Sequence, residues 1–223
     1  MTDPALALDH PAVQHMDGPE LASLIAAKLC HDFISPSGAI VSGLDLLNDP
    51  TAQDMREDAL ALITDSAMKM VALVQFCRVA FGAAGSNERF TAAEVQGLVE
   101  GLSGGGRATL AWRLDGADYT RSEARVLLNL SYLTVAALPS GGTATLSSRR
   151  EDATLMLEGV ADGARARLKP EAATGLAGER LTEGLAGQWI QPYWLWLTAR
   201  EAGGRLDVRV ADGQVTLTTR LPT

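Results

Sequence analysis

The chain has 223 residues, 47% of them apolar, and a formal net charge of −8. That length suits one large domain or two small ones with a real core. The acidic balance argues against general nucleic-acid or anionic-membrane binding, and it permits contact with proteins that carry basic patches.

Cys30 and Cys77 are the two cysteines. They make no disulfide framework and no CxxC pair for zinc, which fits a reduced cytoplasmic setting. Residues 1–18 read as a flexible tail containing Pro4 and Pro11, with His10 and His15 as solvated side chains. The tail lacks the basic and apolar regions of a signal peptide. No apolar run reads as long enough to span a bilayer.

A first helix is predicted from about Glu20 to Asn48, capped by Asp17 with Glu20 three residues on. On a helical wheel, Leu21, Ile25, Leu29, Phe33, Pro36, Ile40, Leu44 and Leu47 form one apolar stripe. His31 falls nearly opposite that stripe and should face outward. Asn48-Asp49-Pro50-Thr51 signals a turn. Thr51 with Asp54 should cap a second helix that runs to about Phe81. Its seam is Ile63, Ala67, Met70, Val74, Cys77 and Phe81. Leu60, Val71, Leu73 and Phe76 add apolar surface beyond one seam. Two helices cannot bury so broad a surface alone, so residues 19–82 are expected to form a homodimer whose two hairpins make a four-helix bundle. The competing expectation packs the excess on the second domain.

Residues 82–87 read as a flexible break. Beyond it, 88–223 alternates helices and strands. Thr91 with Glu94 and Thr120 with Glu123 make two capping boxes, the second before a helix ending near Leu138. Strands are predicted at 108–114, 143–149 and 154–160. The Gly- and Ala-rich stretch 161–187 should be mostly irregular. A helix at 188–202 is closed by Gly203-Gly204, and a hairpin turned at Asp212-Gly213 ends the chain. Helices covering one face of a mixed sheet fit this order.

The chemistry is concentrated at Cys30-His31-Asp32-Phe33-Ile34-Ser35-Pro36. A neutral imidazole is a nucleophile at cellular pH. Asp32 could accept a hydrogen bond from one ring nitrogen, fix the tautomer and raise the basicity of the other. Lys28, a turn earlier, could offset phosphate charge. Ser35, at i+4, could donate to a phosphoryl oxygen. Ala27, Gly38 and Ser42 continue the face with little bulk, leaving room for another protein's backbone. Pro36 should bend the helix just past the histidine. Blander readings stand beside these: a structural histidine, a solvated lysine, and Cys30 as a small buried filler.

His31-Asp32-Phe33-Ile34-Ser35-Pro36 resembles the phosphoacceptor box of histidine kinases. Residues 126–130, 139–143, 202–206 and 216–222 resemble stretches of their ATPase domain. The ATP-binding parts depart from that pattern. Leu133 stands where the metal-holding asparagine should be, and Ala136 where a basic residue follows it. Asp162-Gly163-Ala164-Arg165 lacks the second glycine of its box, so Asp162 reads as a loop residue. Gly184-Leu185-Ala186-Gly187 keeps little of the last glycine box. Without the asparagine Mg²⁺ has no anchor, and without the glycines the backbone cannot approach a nucleotide. The segments 28–36 and 40–47, then 75–83 and 165–168, resemble alphaproteobacterial histidine phosphotransferases.

That resemblance implies a cytoplasmic homodimer with a hairpin bundle and a degenerate ATPase-like α/β sandwich. His31 carries over as the phosphoacceptor. It further implies that phosphoryl groups arrive from the receiver domain of a CckA-like hybrid histidine kinase. They would leave for cell-cycle response regulators resembling CtrA and CpdR. The chain needs no cofactor of its own on this reading, and Mg²⁺ is expected to come with the receiver. The rivals are an ATP-dependent kinase and a non-catalytic, kinase-like binding or scaffold module. Trp189, Tyr193, Trp194 and Trp196 crowd the last helix, mostly as core, with one or two free to mark a protein contact.

Overall fold

A computed structural model describes residues 16–82, 87–116 and 118–223. Positions 1–15 of the expected tail, with His10 and His15, and positions 83–86 of the expected break lie outside the described residues.

The first helix, α1 (Gly18–Asn48), starts on Asp17, whose carboxylate accepts the Glu20 N–H at 2.7 Å. The second, α2 (Arg56–Ala80), differs from expectation at its start. Thr51 and Asp54 do not cap it. Asp49 instead accepts from both the Thr51 N–H and its hydroxyl at 2.7 Å, which ties Thr51 into the turn after α1. A short 3₁₀ turn, Gln53–Met55, then leads into α2. Glu57 and Asp58 in the first turn suit the positive end of the helix dipole.

The two helices pack as an antiparallel hairpin. Gly43, near the turn, lets α1 approach α2: a Cβ there would lie 2.6 Å from Ile63 Cγ1. On α2 the buried line runs through Ala59, Ser66, Leu73, Phe76 and Ala80, to one side of the expected seam. Ile63, Ala67, Met70 and Cys77 are half-buried and Val74 is exposed. The shift has a tertiary cause, because two helices of the α/β half dock on α2 and draw Phe76 and Val79 into the main core. On α1, Pro36 is buried and Leu29, Phe33, Ile40 and Leu47 are half-buried, while Leu44 stays exposed.

Much apolar surface of the hairpin remains open. Ile34 is 69% exposed and Met68 68%, with Val41, Leu60, Val71 and Val74 near half. By length and composition alone, Gly18–Asn48 and Gln53–Ala80 are long and apolar enough to cross a membrane, contrary to the reading from sequence.

The α/β half holds a five-stranded sheet in the order β2 (Ala108–Arg113), β4 (Gly142–Glu151), β5 (Thr154–Asp162), β7 (Gln214–Pro222), β6 (Arg205–Ala211). β2 and β4 are parallel and the other pairs antiparallel. A small second sheet pairs β1 (Arg89–Phe90) with β3 (Tyr119–Thr120). Both are too short for a sequence period to reveal. Alternation places Leu155, Leu157 and Ala161 of β5 and Val215, Leu217 and Leu221 of β7 on the inner face. Three helices, α3 (Ala92–Ser103), α4 (Arg121–Ala136) and α6 (Ala186–Glu201), lie on that side. Both predicted capping boxes are present, Thr91 with Glu94 and Thr120 with Glu123. Nearly every residue of α4 from Glu123 to Thr134 is buried, so it is the central core helix. Gly159 on β5 lets the sheet approach it, since a Cβ would strike the Thr134 side chain.

The stretch expected to be irregular contains a short helix, α5 (Pro170–Leu176). Seven residues rich in Ala and Gly carry no readable stripe. Packing makes the helix: a Cβ on Gly175 would lie 2.7 Å from the Trp189 carbonyl of α6. Trp189, Ile190, Tyr193 and Trp196 then form a cluster against Leu21, Leu24 and Ile25 of α1. The aromatic helix therefore joins the α/β half to the hairpin.

The other end of the joint is polar. Arg121 and Asn129, with Arg125 between them at spacings of four on α4, reach the last carbonyls of α2 and that of Gly82 just beyond it. Arg121 donates to Arg78 O at 3.1 Å, Arg125 to Gly82 O, and Asn129 to Ala80 O at 3.0 Å. The indole of Trp194 also donates to Ala80 O, at 2.7 Å. Helix C-termini leave carbonyls without partners, and these side chains supply them.

Candidate functional site

His31 stands on the outer face of α1 with 88% of its side chain exposed. The apolar stripe of Leu29, Phe33, Pro36 and Ile40 turns inward along the same helix and leaves His31 on the opposite side. Its Nδ1 lies 3.4 Å from Asp32 Oδ1. With Nδ1 turned to the carboxylate, Nε2 is the nitrogen left for an incoming group. Ser35, Gly38, Ser42 and Ala27 are exposed nearby, and no atom lies within 4 Å of where a Gly38 Cβ would stand. Cys30 is exposed rather than a buried filler. The face is open and low in relief around the imidazole.

Lys28 departs from the expected picture. It is 6% exposed and lies under the edge of the α/β half. Its Nζ bonds Asp32 Oδ2 at 2.6 Å and sits 5.3 Å from the centre of the Tyr132 ring on α4. Burial works against its charge, but the Tyr132 phenol and the Asp32 carboxylate outweigh that and hold its pKa above the usual lysine value. Cys77, behind Asp32 on α2, is pushed up to about 11, first by burial and then by the Asp32 charge. Asp32 thus has one oxygen on Lys28 and the other beside His31.

A groove of about 420 Å³ runs along this face. Leu24, Ala27, Lys28, His31 and Asp32 line one side, and Tyr132 with residues 185–188 the other. Leu185 stands 61% exposed at its rim. Neither Tyr132 nor this rim was singled out from sequence, since nothing local marks residues a hundred positions from His31 as its neighbours.

A smaller cavity of about 160 Å³ adjoins the groove, lined in part by Leu133, Ala136, Arg167, Lys169 and Gln191. Leu133 is buried there. Asp162 is the last residue of β5, not a loop residue, and accepts from Gln214 Nε2 at 3.2 Å. Among the described residues no group of three His, Cys, Asp or Glu could hold a metal ion.

Residues 92–214 match the family model for the histidine phosphotransferase C-terminal domain. The chain belongs to the histidine phosphotransferase family. Within it, the chain is 30% identical over 190 residues to the protein phosphotransferase ChpT of Brucella abortus (strain 2308), a span of 85% of this chain and 90% of that one. A solved bacterial phosphotransferase superposes with a TM-score of 0.81 at 27% identity, covering 92% of this chain and 98% of the other. The histidine kinase AdeS of Acinetobacter baumannii gives a TM-score of 0.47 at 12% identity, over 86% of this chain and 97% of that one. The architecture, a helical hairpin followed by an α/β domain, is shared with the solved phosphotransferase. Family membership places the chain among the phosphotransferases of two-component phosphorelays.

Proposed function

We propose that the chain carries phosphoryl groups between receiver domains on His31 and does not draw them from ATP. The observation that carries this reading is the imidazole itself, exposed on an open helix face with Nδ1 beside Asp32 and Nε2 free. In the forward step, Nε2 attacks the phosphorus of an aspartyl phosphate. The N–P bond forms, the P–O bond to the aspartyl carboxylate breaks, and the carboxylate leaves. The ring becomes cationic, and Asp32 stabilises that charge through Nδ1–H. A second receiver reverses the step, because the N–P bond is labile. Ser35, exposed one turn from His31, would donate to a phosphoryl oxygen. Gly38 and Ser42 leave room for the visiting backbone.

The receiver is expected to bring its own Mg²⁺, which neutralises phosphoryl oxygens during transfer. Most of the rate then comes from positioning two proteins. The groove offers contacts from both halves of the chain, with Leu185 as an apolar rim. The smaller cavity favours the ATP-independent reading. Leu133 supplies no metal ligand there, at the position where the kinase resemblance would put an asparagine. The donor on this reading is a CckA-like hybrid kinase receiver, and the acceptors are regulators resembling CtrA and CpdR, in the cytoplasm.

We also assign the open apolar faces of α1 and α2 to a homodimer, in which two hairpins make a four-helix bundle. Residues 19–82 would form the phosphoacceptor and dimerisation domain and 88–223 the docking domain. Ile34, Val41, Val71 and Val74 are too apolar and too exposed to remain in water over so long a stripe.

The test is direct. A purified receiver, phosphorylated with acetyl phosphate and freed of it, is mixed with the protein without ATP. Label should pass to the chain, be acid-labile, and map to His31. His31→Ala should accept none. Stable receiver binding with no phosphohistidine would instead support the scaffold reading.

A further inference from the structure

We infer that Tyr132, on the central helix of the α/β half, is a positioning residue for His31 and acts through Lys28 and Asp32. This rests on the phosphoacceptor reading of His31 and names a further part of that site.

The chain of contacts is short and crosses the two halves. Tyr132 packs its ring against Phe76 of α2, with centroids 6.0 Å apart, which fixes the phenol at the hairpin. The Lys28 ammonium lies 5.3 Å from the ring centre, within reach of a cation–π attraction. Lys28 is almost fully buried, so its charge needs compensation from the protein. Tyr132 and Asp32 provide it; the thiol of Cys77 stands behind them, and Arg167 and Lys169 across the cavity add positive charge rather than offset it. The 2.6 Å bond from Lys28 fixes one carboxylate oxygen. The other oxygen is then held on the His31 side, 3.4 Å from Nδ1.

An exposed aspartate next to an exposed histidine on a helix would normally rotate into solvent. Here it is a quarter exposed, because its other end is tied to a buried cation. Lys28 turns its ammonium to Asp32 and Tyr132. It is the post that turns Asp32 toward the imidazole, and Tyr132 keeps the post in place. The α/β half then sets the tautomer of the phosphoacceptor as well as offering surface to partners. Partners that orient ligating groups typically change activity about 10–100-fold when removed.

The test uses the whole chain labelled with ¹⁵N-histidine. The His31 ring signals are identified by their loss in His31→Gln. In the native protein, the Nδ1–H tautomer should dominate for His31. Lys28→Met and Tyr132→Leu should each move the His31 signals toward an ordinary solvated mixture. Each should also slow single-turnover transfer from a phosphorylated receiver about tenfold. Tyr132→Phe keeps the ring over Lys28 but loses the phenol oxygen, and should fall between Tyr132→Leu and the native protein in both. The idea fails if Lys28→Met and Tyr132→Leu leave the tautomer signature native, even where their rates or melting temperatures fall. A native protein that takes no label on His31 would sink the phosphotransfer reading and leave the tautomer comparison standing.

Discussion

The hairpin has two ends that differ in kind. The C-terminal end of α2 is braced: Arg121, Arg125 and Asn129 of α4 and Trp194 of α6 occupy its terminal carbonyls. The outer surface of the same hairpin is bare, with His31, Ile34, Val41 and Val71 facing water. The contrast shows how a relay protein can be rigid and receptive together. Backbone groups that would fray are satisfied inside the chain, while the side chains proposed to meet a receiver or a second copy are exposed.

The strongest way to break the comparison is at the bare surface. His31→Ala should abolish labelling from a phosphorylated receiver altogether. Melting should stay close to native, because an exposed substitution away from caps and core changes stability by less than about 0.5 kcal/mol. Loss of fold in that variant would show that the exposed imidazole is part of the brace.

Next is the brace. Asn129→Ala removes one of the two donors to Ala80 O, where Trp194 remains, and a side-chain donor to Arg125 O, and it leaves Gln191 Nε2, which donates to Asn129 at 3.2 Å, without its acceptor. Unmade buried hydrogen bonds of this kind should lower stability by about 3 kcal/mol in urea unfolding. Amide exchange should rise first in the last turn of α2. Native stability would mean the joint is ornamental.

A smaller effect should come from the open apolar stripe. Val71→Ser removes roughly 1 kcal/mol of buried apolar contact per protomer. A symmetric interface counts it twice, so the dimer should weaken about thirtyfold by sedimentation equilibrium. An unchanged dissociation constant would put the interface elsewhere, and a native chain that is monomeric at all concentrations would remove it.

The mildest effect is alkaline. Burial pushes Cys77 up to about 11 and Tyr119 up to about 12. Both groups hold their protons in the folded chain at pH values where the unfolded chain has released them. Their contribution is therefore complete below about pH 9, falls as pH rises, and is gone by about pH 12. Lys28, also raised, works in the same direction. Cys77→Ala should make the stability decline between pH 9 and 11 shallower, whatever it does to the absolute value. An identical slope would show that Cys77 is well solvated.

Legibility in the sequence followed the same division between near and far. The outward placement of His31 was readable because a helical period relates neighbours three and four apart. Both capping boxes and the hairpin at Gly213, whose φ of 68° suits glycine, were readable for the same reason. The α2 seam was displaced, because the helix packs on α3 and α4 as well as on α1. Lys28 looked like a surface cation beside a phosphate, and the fold placed it under Tyr132. The triad Arg121, Arg125 and Asn129 did carry a signal, with three donors at spacings of four on one helix face. That pattern gains meaning only when the carbonyls of α2 are set opposite.

By itself the sequence determined a two-helix start, an α/β remainder and an exposed histidine with an acidic neighbour. Each depends on spacings within a few residues of chain. The tertiary structure decided that Tyr132 meets Lys28, that α5 is a helix, that residues 185–188 form the far wall of the groove, and that α4 braces α2. Those features join positions tens to over a hundred residues apart. No local period encodes such meetings; they are fixed by how the sheet, its crossover helices and the hairpin share one core.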